Sequence, residues 1–111
     1  MKIPDSIRIS GVEYPVVYVE NLNNGTNLAY GHIDYDNCKI ELSDTVGTAH
    51  ERRCQTLLHE ILHVIIYHAS FAIDDEESVV ECLAKGLYQV LQDNGKRLFD
   101  ISEDKGVPNE Q

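Results

Sequence analysis

The sequence lacks tryptophan, and it has only three prolines, three cysteines and nine basic residues, against nineteen acidic ones. The resulting formal net charge of -10 repels phosphate backbones and argues against nucleic acid as a direct partner. Cys38, Cys54 and Cys82 are odd in number and far apart, so they fit neither a disulfide framework nor a zinc-ribbon pattern. We predict that all three are reduced and that most of them are buried.

Long apolar runs are also absent from the sequence. No segment is long enough to cross a bilayer, and residues 1–6 lack the apolar stretch of a secretory signal. This predicts a cytoplasmic protein with no membrane partner. The 111 residues, 42% of them hydrophobic, suffice for one core but not for two ordinary domains. We expect a single domain over residues 1–100 and a polar, disordered tail over residues 101–111.

The amino-terminal half has the composition of short strands. Residues 7–20 are rich in β-branched and aromatic side chains and predict two short strands, interrupted by a turn at Gly11 and by Pro15. Residues 30–42 predict a second hairpin with its turn near the middle. The first half of the chain should therefore consist of short strands.

Two helices are predicted after the strands. Residues 48–69 are apolar on most sides, which is typical of a central helix that other elements cover. Residues 75–93 begin with acidic side chains and end at Asn94-Gly95, which indicates a second helix. Its core stripe is predicted to be Val80, Ala84, Leu87 and Leu91. The fold class is therefore α+β.

The central helix contains a motif with metal-ligand spacing, since residues 59–63 read His-Glu-Ile-Leu-His. Residues four apart share a helix face, so His59 and His63 can direct imidazole nitrogens at one ion about 2 Å away. Glu60 falls beside that face, where it can deprotonate a water molecule without binding the metal. The motif predicts two zinc ligands and a general base on one helix.

A catalytic zinc site takes three protein ligands and keeps a fourth position open. The second helix offers Glu76, Glu77 and Glu81, and Glu77 is preferred because it lies on the core stripe. Glu81 remains the alternative ligand. In two antiparallel helices, the rise of about 1.5 Å per residue would place Glu81 nearer than Glu77 to the level of His63. Such ligands suit zinc but also accept iron, manganese, cobalt or nickel.

Other polar residues are weaker candidates. His68 lies five residues after His63, about 140° around the helix, and so off the ligand face. His32 could stabilise an oxyanion from a strand, and Tyr67 or Tyr88 could polarise a carbonyl group. The commoner role of such side chains is structural, so we assign none of them to the site.

The motif and the helix that follows it resemble the small ImmA/IrrE-type zincin metallopeptidases of phages and other mobile elements. The resemblance covers about residues 56–94, and the chain departs from the family pattern at Leu62, where glycine is usual. The positions that carry it are His59, Glu60, His63, Glu77, Val80, Leu83 and Ala84.

The resemblance implies a minimal zincin-like fold of class α+β. In this fold a small twisted antiparallel sheet is followed by an active-site helix and a second helix, whose glutamate completes the zinc site. It implies His59, His63 and Glu77 as ligands of one zinc ion, and Glu60 as the catalytic base. Known members cleave repressor-type regulators, and this chain has no helix-turn-helix signal, so a regulatory target would be a separate protein. An extended substrate is expected to pair with the strand at residues 39–42.

Three functions are compatible with these patterns. The first is a zinc-dependent metallopeptidase that cleaves a specific regulatory protein. The second is a non-catalytic, zinc-stabilised binding module for a protein partner, whose fourth metal position would be filled by Cys82 or His68. The third is an acidic decoy for a basic partner, which depends on net charge alone. The sequence leaves the oligomeric state open.

Overall fold

The computed structural model describes residues 1–20, 22, 30–45 and 48–98, so the predicted tail at residues 101–111 lies outside the described part. Four strands precede two helices, and the α+β class is confirmed. The elements are β1 (Ser6–Ile9), β2 (Val12–Val19), β3 (Gly31–Asp34), β4 (Lys39–Ser43), α1 (His50–Ala69) and α2 (Glu76–Asn94), followed by a 3-10 turn at Gly95–Arg97.

The four strands form one sheet in the order β1-β2-β4-β3. The two hairpins, β1–β2 and β3–β4, are antiparallel, but they meet through β2 and β4, which run in the same direction. The sheet is therefore mixed and not purely antiparallel. Because β4 is an interior strand, the prediction that residues 39–42 form a pairing edge is wrong. β3 is the edge strand on that side.

β2 continues through Pro15, which the sequence suggested as an interruption. Pro15 lies where the strand changes partner. The first part of β2 pairs with β1 up to the Ser6–Pro15 pair, and its second part pairs with β4 from Val16 onward. A proline cannot donate a backbone hydrogen bond, and at this junction the ladder is interrupted in any case.

The main core lies between the sheet and α1. Its strand side is formed by alternate residues that point to one face, and its helix side by Leu57 and Val64, which are buried. Its buried members are Ile9, Tyr14, Val16, Ile33, Ile40, Leu42, Leu57 and Val64. α1 is central, between the sheet and α2, and most of its residues are at least partly buried, as expected, although Ile65 is 45% exposed.

α2 packs on α1 through Val80, Ala84 and Tyr88, which are buried at intervals of four residues. The predicted stripe is wrong at Leu87, which is 38% exposed, because Tyr88 takes the inward position. The predicted end of the helix at Asn94-Gly95 is confirmed, and Gly95 has the positive φ of 53° that favours glycine. Neither helix, within the described part of the chain, is long and apolar enough to span a lipid bilayer.

The cysteines are unpaired, as predicted. Only Cys54 is buried, whereas Cys38 is partly buried and Cys82 is exposed, so the expectation that most are buried is wrong. Cys82 is on α2 outside the Val80–Ala84–Tyr88 face that packs on α1, which explains its exposure.

Candidate metal centre

The antiparallel packing of α1 and α2 brings three predicted ligands together. The Nε2 atoms of His59 and His63 are 3.2 Å apart. The carboxylate of Glu77 spans both of them, with Oε2 3.0 Å from Nε2 of His59 and Oε1 2.9 Å from Nε2 of His63. These three residues form the one group in the described part of the chain whose donor atoms could hold a metal ion together.

The outer nitrogen of each histidine also faces a carboxylate. Nδ1 of His63 is 2.7 Å from Oε2 of Glu76, and Nδ1 of His59 is 3.0 Å from Oε1 of Glu81. A carboxylate accepts a hydrogen bond, so these contacts favour the tautomer that carries its proton on Nδ1. The Nε2 lone pairs of both rings are then directed at the same point.

Two imidazole lone pairs and a carboxylate that converge on one point repel each other unless a proton or a metal cation lies between them. Tetrahedral zinc, with bonds of about 2.0–2.1 Å, separates its ligand atoms by about 3.3 Å. The separations of 2.9 to 3.2 Å among His59, His63 and Glu77 are close to that value. The donor set therefore fits a zinc ion.

Burial and hydrogen bonding shift the pKa of His63 in opposite directions. Burial by itself would lower its pKa, but the hydrogen bonds to Glu76 and Glu77 outweigh burial and hold the pKa above its ordinary value. In the absence of a metal, these two carboxylates therefore favour the protonated form of His63.

The structure also separates the roles of Glu77 and Glu81. Glu77 reaches the inner nitrogens although its side chain is 71% exposed, while Glu81 reaches only the outer nitrogen of His59. The prediction that Glu81 lies near the level of His63 is wrong. The chain turns back between the helices, so the start of α2 faces His63, and Glu81 faces His59 one turn earlier on α1.

Removal of these two glutamates should therefore weaken metal binding unequally. We expect Glu77→Ala to lower zinc affinity more than about 100-fold, because a ligand is lost, and Glu81→Ala to lower it roughly tenfold, because only an orienting hydrogen bond is lost. Competition with a chromophoric chelator measures both affinities. Glu51→Ala, on the first turn of α1, serves as the control and should bind zinc like the wild type. The reverse order for Glu77 and Glu81 would make Glu81 the ligand.

Glu60 lies deeper than the predicted ligands, with only 8% of its surface exposed. Its carboxylate approaches β3 so closely that a Cβ atom at Gly31 would lie 2.9 Å from Oε2 of Glu60 and 2.6 Å from Cγ2 of Thr56. Glycine at position 31 therefore lets the edge strand lie against Glu60. Among the described residues, no hydrogen-bond donor reaches the Glu60 carboxylate.

The surroundings of Glu60 favour its protonated form. Burial raises the pKa of Glu60 above its ordinary value, and the nearby Glu77 carboxylate acts in the same direction, although His59 and His63 partly oppose them. A buried carboxylate is costly for stability when it is ionised, and such groups are commonly found at functional sites. Glu60 is therefore suited to accept a proton.

A cavity of about 410 Å³ opens over this group of residues. The edge strand contributes Gly31 to its wall, and the helices contribute His59, Glu60 and Glu77. Its far end carries Arg52, whose guanidinium lies 4.7 Å from the centre of the Tyr30 ring. The cavity thus extends from β3, which is an edge strand among the described strands, to the metal-ligand atoms.

The histidines and tyrosines that the sequence offered as weaker candidates do not belong to the group of convergent ligand atoms. Nε2 of His68 is 2.7 Å from the hydroxyl of the buried Tyr14, and Nδ1 of His32 is 3.1 Å from Oε1 of Glu41. Tyr67 is exposed and stacks on Tyr35. Tyr88 is buried in the face of α2 that packs on α1. Burial raises the pKa of Tyr88, and the negative charge of Glu51 raises it further.

Sequence reasoning missed the contributions of Glu76, Glu81 and Gly31. It considered Glu76 and Glu81 only as alternatives to Glu77 for the third ligand, and not as hydrogen-bond partners of the two imidazole rings. A local signal was present, because Glu77 and Glu81 are four residues apart and so are His59 and His63. Nothing local marks Gly31, whose role depends on the packing of β3 against α1.

Comparison with known protein families, with curated proteins and with solved structures finds no match for this chain. The resemblance to the ImmA/IrrE-type zincins therefore stays a prediction.

Proposed function

We propose that this protein is a zinc-dependent metallopeptidase that hydrolyses a peptide bond in a specific regulatory protein. The observation that carries the proposal is the buried Glu60 carboxylate beside the convergent atoms of His59, His63 and Glu77. A site that only stabilises the fold has no use for a buried base next to its ligands. A hydrolytic site requires one.

His59, His63 and Glu77 would hold the zinc ion, and Glu76 and Glu81 would keep the two imidazole rings in the orientation that binding requires. A bound zinc ion would supply a Lewis acid for the scissile carbonyl group and would lower the pKa of a water molecule. Glu60 would take a proton from the attacking water and pass it to the departing amine. The raised pKa of Glu60 suits this exchange, because a base with a pKa nearer neutrality can also return the proton.

The free edge of β3 supports a peptide as the substrate. Within the described residues, no strand pairs with the outer side of β3, and this strand begins at Gly31, in contact with Glu60. An extended segment can add to such an edge through main-chain hydrogen bonds. A peptide bound in this way would pass over the cavity that holds the ligand atoms.

The alternative of a structural zinc site has less support. That hypothesis needs a fourth protein ligand, for which Cys82 or His68 was suggested. His68 is hydrogen-bonded to Tyr14, and neither Cys82 nor His68 belongs to the group that could hold a metal.

We expect the peptidase to act in the cytoplasm, where free thiols such as those of Cys38, Cys54 and Cys82 stay reduced.

Metal content and proteolysis together test the proposal. The protein is purified without chelator or metal-affinity resin, and its zinc content per chain is measured by elemental mass spectrometry. The same preparation is incubated with a random peptide library, and new amino termini are mapped by mass spectrometry with and without a chelator. We expect about one zinc per chain and cleavage that the chelator abolishes.

The two readouts separate the alternatives. Zinc binding without cleavage of the library or of candidate regulators would favour the non-catalytic binding module. A folded chain that binds no zinc, even when zinc is offered back, would overturn both. The motif at residues 59–63 would then be a coincidence of helix composition.

A further inference from the structure

A second cavity, of about 400 Å³, lies on the other side of the candidate metal centre. It shares His63 and Glu76 with that centre, so the two sites are continuous. The rest of its wall is mainly aromatic and aliphatic, and the side chains that matter here are Tyr35, Ile66, Tyr67 and Phe71. We define Tyr35, Tyr67 and Phe71 as the aromatic pocket.

The exposure of these three rings is not explained by the packing of the chain. Phe71 is 66% exposed, Tyr67 56% and Tyr35 37%. The chain has only six tyrosines and two phenylalanines, yet three of these eight rings gather at one surface cavity. An exposed apolar group of this kind commonly marks a binding site.

The backbone fixes the position of Phe71. α1 ends at Ser70, which adopts a left-handed conformation with φ of 54°, and the backbone N–H of Phe71 donates to the carbonyl oxygen of Ile66 at 3.5 Å. This bond folds the chain back over the last turn of the helix. Phe71 is thus held at the cavity by backbone geometry, although its ring is largely exposed.

Tyr35 and Tyr67 also line the cavity, with ring centres 4.3 Å apart. Burial raises the pKa of Tyr35 above its ordinary value, and the carboxylates of Glu60 and Glu76 raise it further. The hydroxyl of Tyr35 therefore stays neutral, and the wall presents rings without a charge to a bound side chain.

The course of β3 relates the pocket to the direction of a bound peptide. Gly31, at the start of β3, lies against Thr56 and Glu60, while Tyr35, just past its end, lies against Tyr67. β3 thus runs along α1 in the same direction. A peptide that pairs antiparallel with β3 would place its amino-terminal side at Tyr35 and its carboxyl-terminal side at Gly31.

We propose that the aromatic pocket binds an aromatic or large aliphatic side chain of the substrate, on the amino-terminal side of the cleaved bond. This inference rests on the proposed peptidase function, and it names the class of substrate for the same site. Burial of such a ring against three others favours it over alanine by roughly tenfold or more in affinity. Tyr35, Tyr67 and Phe71 act as specificity residues and take no part in proton transfer.

Amino-acid hydroxamates test the pocket without any need for a known cleavage sequence. A hydroxamate binds zinc, and its side chain then lies on the amino-terminal side of the metal. For the full chain loaded with zinc, we expect phenylalanine hydroxamate to bind at least about tenfold more tightly than alanine hydroxamate in titration calorimetry. Phe71→Ala should remove most of this preference, and Phe71→Leu should retain part of it.

Tyr18→Ala is the matched control, because Tyr18 on β2 is 49% exposed, between Tyr35 and Tyr67 in exposure, and lies outside both cavities. It should keep the full preference. Equal binding of the two hydroxamates to the zinc-loaded protein would overturn the pocket and leave the peptidase proposal standing. Failure to bind zinc would overturn the peptidase proposal and, with it, the pocket.

Discussion

Replacement of Glu60 by glutamine should leave one zinc bound per chain and reduce peptide cleavage at least about 100-fold, as expected when a general base is removed. Glutamine has nearly the same shape, so the contact with Gly31 should persist. It cannot accept a proton from water. The measurement is the initial rate of cleavage of a library-derived peptide, with zinc content determined on the same samples.

The stability of the zinc-free proteins gives a second readout for Glu60→Gln. The buried carboxylate is disfavoured when ionised, so its neutral replacement should raise the free energy of unfolding at neutral pH. Glu41→Gln, which changes a carboxylate of β4 that contacts His32, is a control for the loss of one charge. A Glu60→Gln protein that cleaves as fast as the wild type would remove Glu60 from the mechanism.

Replacement of either histidine of the motif by alanine should abolish stoichiometric zinc binding. His59→Ala and His63→Ala each remove one of three convergent ligands, and we expect zinc content to fall from about one per chain to near zero. His68→Ala is the matched control on the same helix, since it breaks a hydrogen bond to Tyr14 but leaves the convergent group intact. Equal zinc content in His63→Ala and the wild type would show that the metal binds elsewhere.

The pH dependence of zinc binding follows from the raised pKa of His63. A proton on Nε2 competes with the metal, so zinc affinity should fall as the pH drops below this raised value. The folding stability of the zinc-free protein should change in the opposite direction and decrease as the pH rises. The contribution of protonated His63 to stability is complete below the unfolded-state pKa of about 6.5 and is lost as the pH rises through the folded-state pKa. Denaturant unfolding at several pH values, with His63→Ala as the control, measures this trend.

The fold could be predicted as far as local patterns determine it. Alternation and turn residues predicted both hairpins, and the apolar period with Gly95 predicted the extent of α2. The parallel pairing of β2 with β4 was not predictable, because it depends on which edges of the two hairpins meet. The sequence also could not show whether Leu87 or Tyr88 is buried, since both fit a helical stripe and only the position of α1 distinguishes them.

The candidate site was predictable where a single helix determines it and less so where two elements meet. The spacing of His59 and His63 predicted that they share a face, and the structure brings both to Glu77. The wrong placement of Glu81 arose from its assumed level in the helical pair, which depends on how the connection after Ser70 turns back. The pairing edge was predicted at β4 but lies at β3, because the order of strands depends on the whole sheet and not on any local pattern.

The proposed zinc ligands and the proposed base, Glu60, depend on contacts between residues that are separated by very different distances along the sequence. His63 and Glu77 are fourteen residues apart within one helical hairpin. The burial of Glu60 requires Gly31, which belongs to a strand from the other half of the chain. Because contacts between residues close in sequence form at lower entropic cost, the helical hairpin would be able to bind the proposed zinc ion while the sheet is still forming. If the proposal holds, Glu60 would become buried only once β3 packs against α1, so a partly folded chain could bind zinc before it becomes able to cleave a peptide.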